Sequence, residues 1–177
     1  NSDIAACVPA LNYRTDEQFR AAIQEIRANT TSKGLGINLI VNKSNIKMKQ
    51  QLKTCVELGV DFIITSLGSP KDVIEQCKPK GIKVFCDVVE EKYAKKVEEL
   101  GADAVIAVNC NAGGHAGKLS PEEIIPLLNK HCSIPVISAG GVGTKDGIDT
   151  IMNLGAAGLS IGSPFIACEE AHISEEY

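Results

Sequence analysis

Nowhere in these 177 residues does an apolar stretch approach the roughly 20 residues that a helix needs to cross a bilayer. The N-terminus likewise lacks the charged-then-apolar organisation of a signal peptide, so the expectation is a cytoplasmic protein with no membrane partner. Long runs of one charge are missing too. With 18 basic against 22 acidic residues the net charge is −4, and nothing forms the basic stripe that a phosphodiester backbone would require. Nucleic acid is therefore not expected as a partner. Seven cysteines stand at 7, 55, 77, 86, 110, 132 and 168, and no two have the close C-x-x-C spacing of a zinc or redox site. Their odd number and even scatter leave neither a disulfide framework nor a metal site to expect. Most are read as small, buried and reduced.

Against these absences, a content of 44% hydrophobic and 23% charged residues is enough for one domain with a real core, read here as spanning residues 1–177. A recurring phrase organises it: Leu58-Gly-Val-Asp-Phe-Ile-Ile-Thr65, Leu100-Gly-Ala-Asp-Ala-Val-Ile-Ala107 and Leu154-Gly-Ala-Ala-Gly-Leu-Ser-Ile161. Each reads as the end of a helix, a glycine stop and a buried strand, glycine suiting the positive φ that often follows a helix. Strands are predicted near residues 4–8, 35–41, 61–66, 82–87, 103–108, 134–138 and 157–162. Between them lie helical patterns such as Phe19, Ile23 and Ile26, or Ala94, Val97 and Leu100.

Regular βα alternation implies a parallel sheet covered by helices. Either an open doubly wound sheet or a closed eight-stranded barrel would satisfy it. The last two strands each end in a turn of small residues, Ser138-Ala-Gly-Gly-Val-Gly143 and Ile161-Gly-Ser163, whereas no glycine-rich loop follows the first strand. That distribution favours the barrel. Seven strands are one short, so the expectation is a (β/α)8 barrel lacking its first βα unit and its C-terminal helix.

Gly140, Gly141, Gly162 and Ser163 are candidates to hold a phosphate through backbone N–H groups, with the helical pattern Lys145–Met152 adding its dipole. The alternative is that these glycines only close tight turns. Ala112-Gly-Gly-His-Ala-Gly117 follows the strand Ala104–Val108 and so falls at the rim where barrels keep their chemistry. Its glycines would let a planar cofactor approach the backbone, and imidazole can move a proton near neutral pH. His115 is accordingly the acid–base candidate, against a surface loop with an incidental histidine. His131 and His172 are read as helix-surface residues, and Cys110 as a filler rather than a nucleophile. Asp87 at a strand end, Asn38 within a strand and Ser66 at another end would either meet a heterocyclic ligand or satisfy neighbouring backbone.

These pieces together resemble the nitronate monooxygenase family of flavin-dependent (β/α)8 barrels. The likeness rests on Val8-Pro-Ala-Leu-Asn12, Gly36-Ile-Asn-Leu39, Ile64-Thr-Ser-Leu-Gly68, Gly101–Ala107, the glycine–histidine turn, Ser138-Ala-Gly-Gly141 and Ile161–Ala171. What the resemblance implies is a bound FMN, with phosphate at Gly140, Gly141, Gly162 and Ser163 and ring near Asn38, Asp87 and Gly114; Gly113 and Ser138 complete the implied cofactor set. It further implies oxidation of alkyl nitronates by dioxygen to carbonyl compounds and nitrite, with His115 as the base toward neutral nitroalkanes. A homodimer stays open. An FMN-dependent enoyl-[acyl carrier protein] reductase shares the glycine–histidine turn, and a catalytically silent flavin-binding fragment is the reading outside enzymology.

Overall fold

The computed structural model describes residues 4–31, 34–166 and 168–171; His172 lies outside them. The chain divides into two compact units, one of Asn1–Asp87 with Glu99–Asp103, the other of Val88–Glu98 with Ala104–Tyr177. In the first, β1 (Ala6–Pro9), β2 (Leu35–Ile40), β3 (Phe62–Ser66) and β4 (Lys83–Val88) alternate with α1 (Asp16–Asn29), α2 (Met48–Glu57) and α3 (Lys71–Cys77). The strands pair in parallel and in chain order. The second holds α4 (Glu91–Leu100), whose last residues belong to the first, then β5 (Ala104–Val108), α5 (Pro121–His131), β6 (Val136–Ala139), α6 (Lys145–Asn153), β7 (Gly158–Ser160) and a short α7 (Ser163–Ile166). There β5–β6 and β6–β7 are parallel too.

All seven expected strands form, the first beginning two residues later than expected and the last trimmed to three residues. Their regularity has a local cause in the repeated phrase. Gly59, Gly101 and Gly155 all adopt positive φ, at 62°, 97° and 95°. The next-but-one residue then bonds back to the preceding strand: Asp61 N–H to Leu35 O, Asp103 N–H to Val84 O and Ala157 N–H to Val136 O, at 2.9, 2.8 and 2.7 Å. In the first two repeats the aspartate carboxylate also accepts from the backbone N–H of that same residue, Leu35 at 2.8 Å and Val84 at 2.9 Å. The repeat is thus a two-bond clip that sets one strand beside its neighbour; the third copy, with Ala157, keeps only one of the bonds.

Alternation along the strands separates two faces in the first unit. Leu35, Ile37, Leu39, Ile63, Thr65, Val84 and Cys86 occupy one face and are all buried. From α1, Phe19 and Ile23 are buried as the helical pattern predicts, as are Leu52 and Cys55 of α2. The opposite face carries Gly36, Asn38, Phe62, Ile64, Ser66, Phe85 and Asp87, and most of these are half-buried. Gly36 is needed there because a Cβ would lie 2.1 Å from the Phe62 ring, which itself stacks on Phe85 at 5.3 Å.

The cysteines depart from expectation. All seven are free thiols, but three alone, Cys55, Cys77 and Cys86, are buried, while Cys7 and Cys110 are exposed. Burial pushes the three enclosed thiols up to about 12, 11 and 11, so they behave as small neutral groups. Cys110 escapes because it lies past the end of β5, in the turn. No helix among the described residues is long and apolar enough to cross a membrane.

Replacing Gly36 by Ala is expected to lower the urea unfolding free energy by about 1–3 kcal/mol through overpacking against Phe62. Adding Phe62→Leu to that variant should recover part of the loss. Equal stability of the Gly36→Ala variant and the parent would contradict the packing.

Candidate functional site

Each unit gathers its polar residues toward the C-terminal ends of its strands, and the two groups are described separately. In the second unit the centre is Asn109, the residue after β5. Its side chain is fully buried. Nδ2 donates to the Gly140 carbonyl at 3.1 Å and Oδ1 accepts from the Asn111 N–H at 2.8 Å. Its own backbone carbonyl accepts from Ala112 and Gly117 N–H at 3.3 and 3.2 Å, and Cys110 N–H closes the loop onto Leu119 O at 2.9 Å. The turn 109–119 is therefore pinned at both ends and stitched to the turn after β6.

Close packing explains the glycines. At Gly140, φ is 115° and a Cβ would fall 2.5 Å from Asn109 Oδ1. At Gly113 a Cβ would meet Ser163 Oγ at 2.4 Å, so three separate βα turns interlock. Gly114 and Gly162 differ, since nothing lies within 4 Å of where their Cβ would be. The N–H groups of Gly140, Gly141 and Gly162 donate to no partner among the described residues. His115 is exposed at the middle of the turn, and its side chain forms no hydrogen bond with the described residues. Cys110 is exposed in the same turn, its Sγ donating to Asn111 Oδ1 at 3.6 Å.

Ser138 is placed less openly than the others. It is 1% exposed, shares its side of β6 with buried Val136, and its Oγ has no partner among the described residues. His131 lies in the last turn of α5, half-buried rather than free on the surface, with Nδ1 3.4 Å from Glu91 Oε1.

In the first unit, Asn38, Ser66 and Asp87 form a chain. Asn38 Nδ2 donates to Ser66 Oγ at 2.8 Å, and Ser66 Oγ donates to Asp87 Oδ2. Burial raises the Asp87 carboxyl above its ordinary range, partly offset by the bond from Ser66, which favours the ionised form. Leu67 follows at φ 63°, the sole non-glycine residue with positive φ among the described residues. That conformation turns the chain sharply off the end of β3. Sequence reasoning singled out Asn38, Ser66 and Asp87 without joining them, and it missed the role of Asn109. An amide placed between an apolar strand and a glycine run, where it must find partners, was the available signal.

A parallel βα protein with its polar and glycine-rich turns at the strand C-termini is the class that fold and site define. The family profile described as nitronate monooxygenase matches residues 44–176, about three quarters of the sequence. The chain belongs to the nitronate monooxygenase family, a family of oxidoreductases. Nitronate monooxygenase of Paraburkholderia phytofirmans is 36% identical over 115 residues, covering 60% of this chain and 31% of its own length. A (3aS,4S,5R,7aS)-5-hydroxy-7a-methyl-1-oxo-octahydro-1H-indene-4-carboxyl-CoA dehydrogenase of Rhodococcus jostii is 29% identical over 161 residues, covering 91% of this chain and 45% of its own. The chain thus spans less than half the length of either relative. Among solved structures, FabK from Thermotoga maritima superposes with a TM-score of 0.86 at 30% identity, over 94% of this chain and 52% of that one. Nitroalkane oxidase from Streptomyces ansochromogenes gives 0.83 at 20% identity, over 92% and 59%, which shows a shared fold.

Two predictions follow from the geometry. Asn109→Ala leaves the Gly140 carbonyl and the Asn111 N–H unpaired and should cost about 1–3 kcal/mol in denaturant titrations. For Asp87 the folded pKa is raised, so ionising the group costs stability as pH rises from about 4 through that raised value. Asp87→Asn should therefore melt higher than the parent at pH 7. The gain should shrink as pH falls toward 4; an equal gain at both pH values would refute the burial cause.

Proposed function

We propose that this chain forms the FMN-binding part of a cytoplasmic (β/α)8-barrel nitronate monooxygenase that oxidises alkyl nitronates with dioxygen to carbonyl compounds and nitrite. The observation that carries the reading is the set of N–H groups of Gly140, Gly141 and Gly162, without partners among the described residues, at the ends of β6 and β7, in the unit that also exposes His115 on its braced turn.

The residues suit a flavin. Open space over Gly162 and Gly114, where side chains would intrude, leaves room for a phosphate at Gly140, Gly141, Gly162 and Ser163 and for a ring near Gly113 and Gly114. Ser138, in β6, stands two residues before Gly140, and Asn38, with Asp87 behind it through Ser66, serves the ring. Bound FMN would supply electron transfer between the nitronate and dioxygen. The protein's own tasks are positional: backbone N–H groups hold the anionic end, and the glycine turn presents imidazole to substrate. With a neutral nitroalkane, an imidazole nitrogen of His115 takes the proton from the carbon bearing the nitro group. An anionic nitronate has already lost that proton and does not need the base.

A second reading, reduction of an enoyl thioester at the expense of NAD(P)H, is favoured by one observation: FabK superposes on 94% of this chain at 30% identity, against 20% for the nitroalkane oxidase. Anaerobic mixing separates the two. Under the monooxygenase reading NADPH leaves the 450 nm flavin band intact, whereas bleaching by NADPH followed by reoxidation with an enoyl thioester establishes the rival. Protein that neither carries nor takes up FMN would leave a silent fragment. His115→Asn is expected to retain FMN and to lower kcat for neutral nitroalkanes by about 10²–10⁴ while sparing preformed nitronates. Unchanged turnover of the neutral substrate would remove His115 from this role.

A further inference from the structure

The direction of the Asn38–Ser66–Asp87 chain is decided by one hydrogen atom. A serine hydroxyl carries a single hydrogen and two lone pairs. Ser66 directs that hydrogen to Asp87, so toward Asn38 it can only accept, and Asn38 Nδ2 is the group found there, at 2.8 Å. With its NH2 turned to Ser66, the Asn38 amide must point its carbonyl oxygen the other way. No donor among the described residues bonds to that oxygen. Both register neighbours of Asn38 have hydrocarbon side chains, Pro9 on one side and Ile64 on the other. Of the three side chains, the Asn38 carbonyl oxygen and Asp87 Oδ1 are thus the acceptors without a donor among the described residues, and Asn38 is the one whose direction the chain of bonds decides.

We infer that Asp87 is a positioning residue: acting through Ser66, it fixes the Asn38 amide so that its carbonyl oxygen faces a bound ligand, and the rim selects a ligand edge that carries an N–H donor. Glutamine or a second amide at position 87 would not do this, because an amide can either donate to Ser66 or accept from it. A carboxylate can only accept, which removes the ambiguity. The inference rests on the flavin reading, under which the selected edge is the imide N–H of the isoalloxazine ring. Without Asp87 the Ser66 hydrogen is released to point at Asn38, the amide is free to turn, and an NH2 group can come to oppose the imide N–H.

The test is a cycle of FMN titrations, followed by quenching of flavin fluorescence, on the parent, Asp87→Ala, Ser66→Ala and the double variant, with circular dichroism to verify folding. Asp87→Ala should weaken FMN binding about tenfold, the scale of one misdirected hydrogen bond. In the Ser66→Ala background the same change should have less than about a twofold effect, because the connection is already cut. Ser66→Thr, which keeps the hydroxyl, should restore sensitivity to Asp87. An undiminished effect of Asp87→Ala in the Ser66→Ala background would mean that Asp87 touches the ligand itself, and the inference falls. A parent protein that takes up no FMN defeats the flavin reading instead. The orientation is then decided in flavin-free protein by the side-chain ¹⁵N–¹H signals of Asn38: shifts in both single variants uphold it, and signals that stay in place overturn it.

Discussion

The buried amide of Asn109 is the constraint on which the second unit's rim depends. It is fully enclosed, so each of its polar atoms must be matched within the protein. It meets that demand by gripping Gly140 on one side and Asn111 on the other. Because the amide fills the space beside Gly140, that residue can carry no Cβ, and its positive φ gives the turn after β6 its direction. The N–H groups of Gly140 and Gly141, without partners among the described residues, thus lie on a turn that Asn109 and Asn111 brace. An anion held there would meet a stiff scaffold, since moving one turn would break bonds in the next.

A different economy governs the framework beneath. The Leu-Gly-x-Asp phrase places a left-handed glycine, a backbone bond and a carboxylate bond within four residues, and two of its three copies use all of them. Devices this local are legible in sequence because everything they need is adjacent along the chain. Glycine at 59, 101 and 155 announced helix ends, the apolar runs that follow announced strands, and all were found within a residue or two of their expected places. Thr15 and Ser120 add the same kind of signal at helix starts: Gln18 N–H donates to the Thr15 hydroxyl, and Ser120 N–H to Glu123.

What could not be read is what depends on distance along the chain. Asn38, Ser66 and Asp87 are separated by 28 and 21 residues, and nothing near any of them in sequence names the others. Their meeting requires the parallel register of three strands, in which Asn38 stands beside Ile64 and so within reach of Ser66 two residues further on. Burial of the cysteines failed for a related reason. An apolar neighbourhood in sequence holds for Cys86 inside β4, but Cys7 in the first strand remains exposed. Occupying a strand is a local property; being covered is not.

The two kinds of group also differ in what evolution or engineering can change. Backbone N–H groups at Gly140, Gly141 and Gly162 are insensitive to side-chain identity as long as the turn keeps its path, so an anion held there constrains mainly where glycine must be. His115 and Asn38 are the reverse, because the role proposed for each rests on a side-chain atom and its orientation. Asn38 has its orientation imposed by Ser66, while the exposed imidazole of His115 has no such partner among the described residues. Under the proposed function, a base approaching carbon acids of different shape would gain from that freedom, whereas an amide set to tell a donor edge from an acceptor edge would lose its selectivity with it. The structure supplies restraint at Asn38, and the openness at His115 is what the role proposed for it asks for.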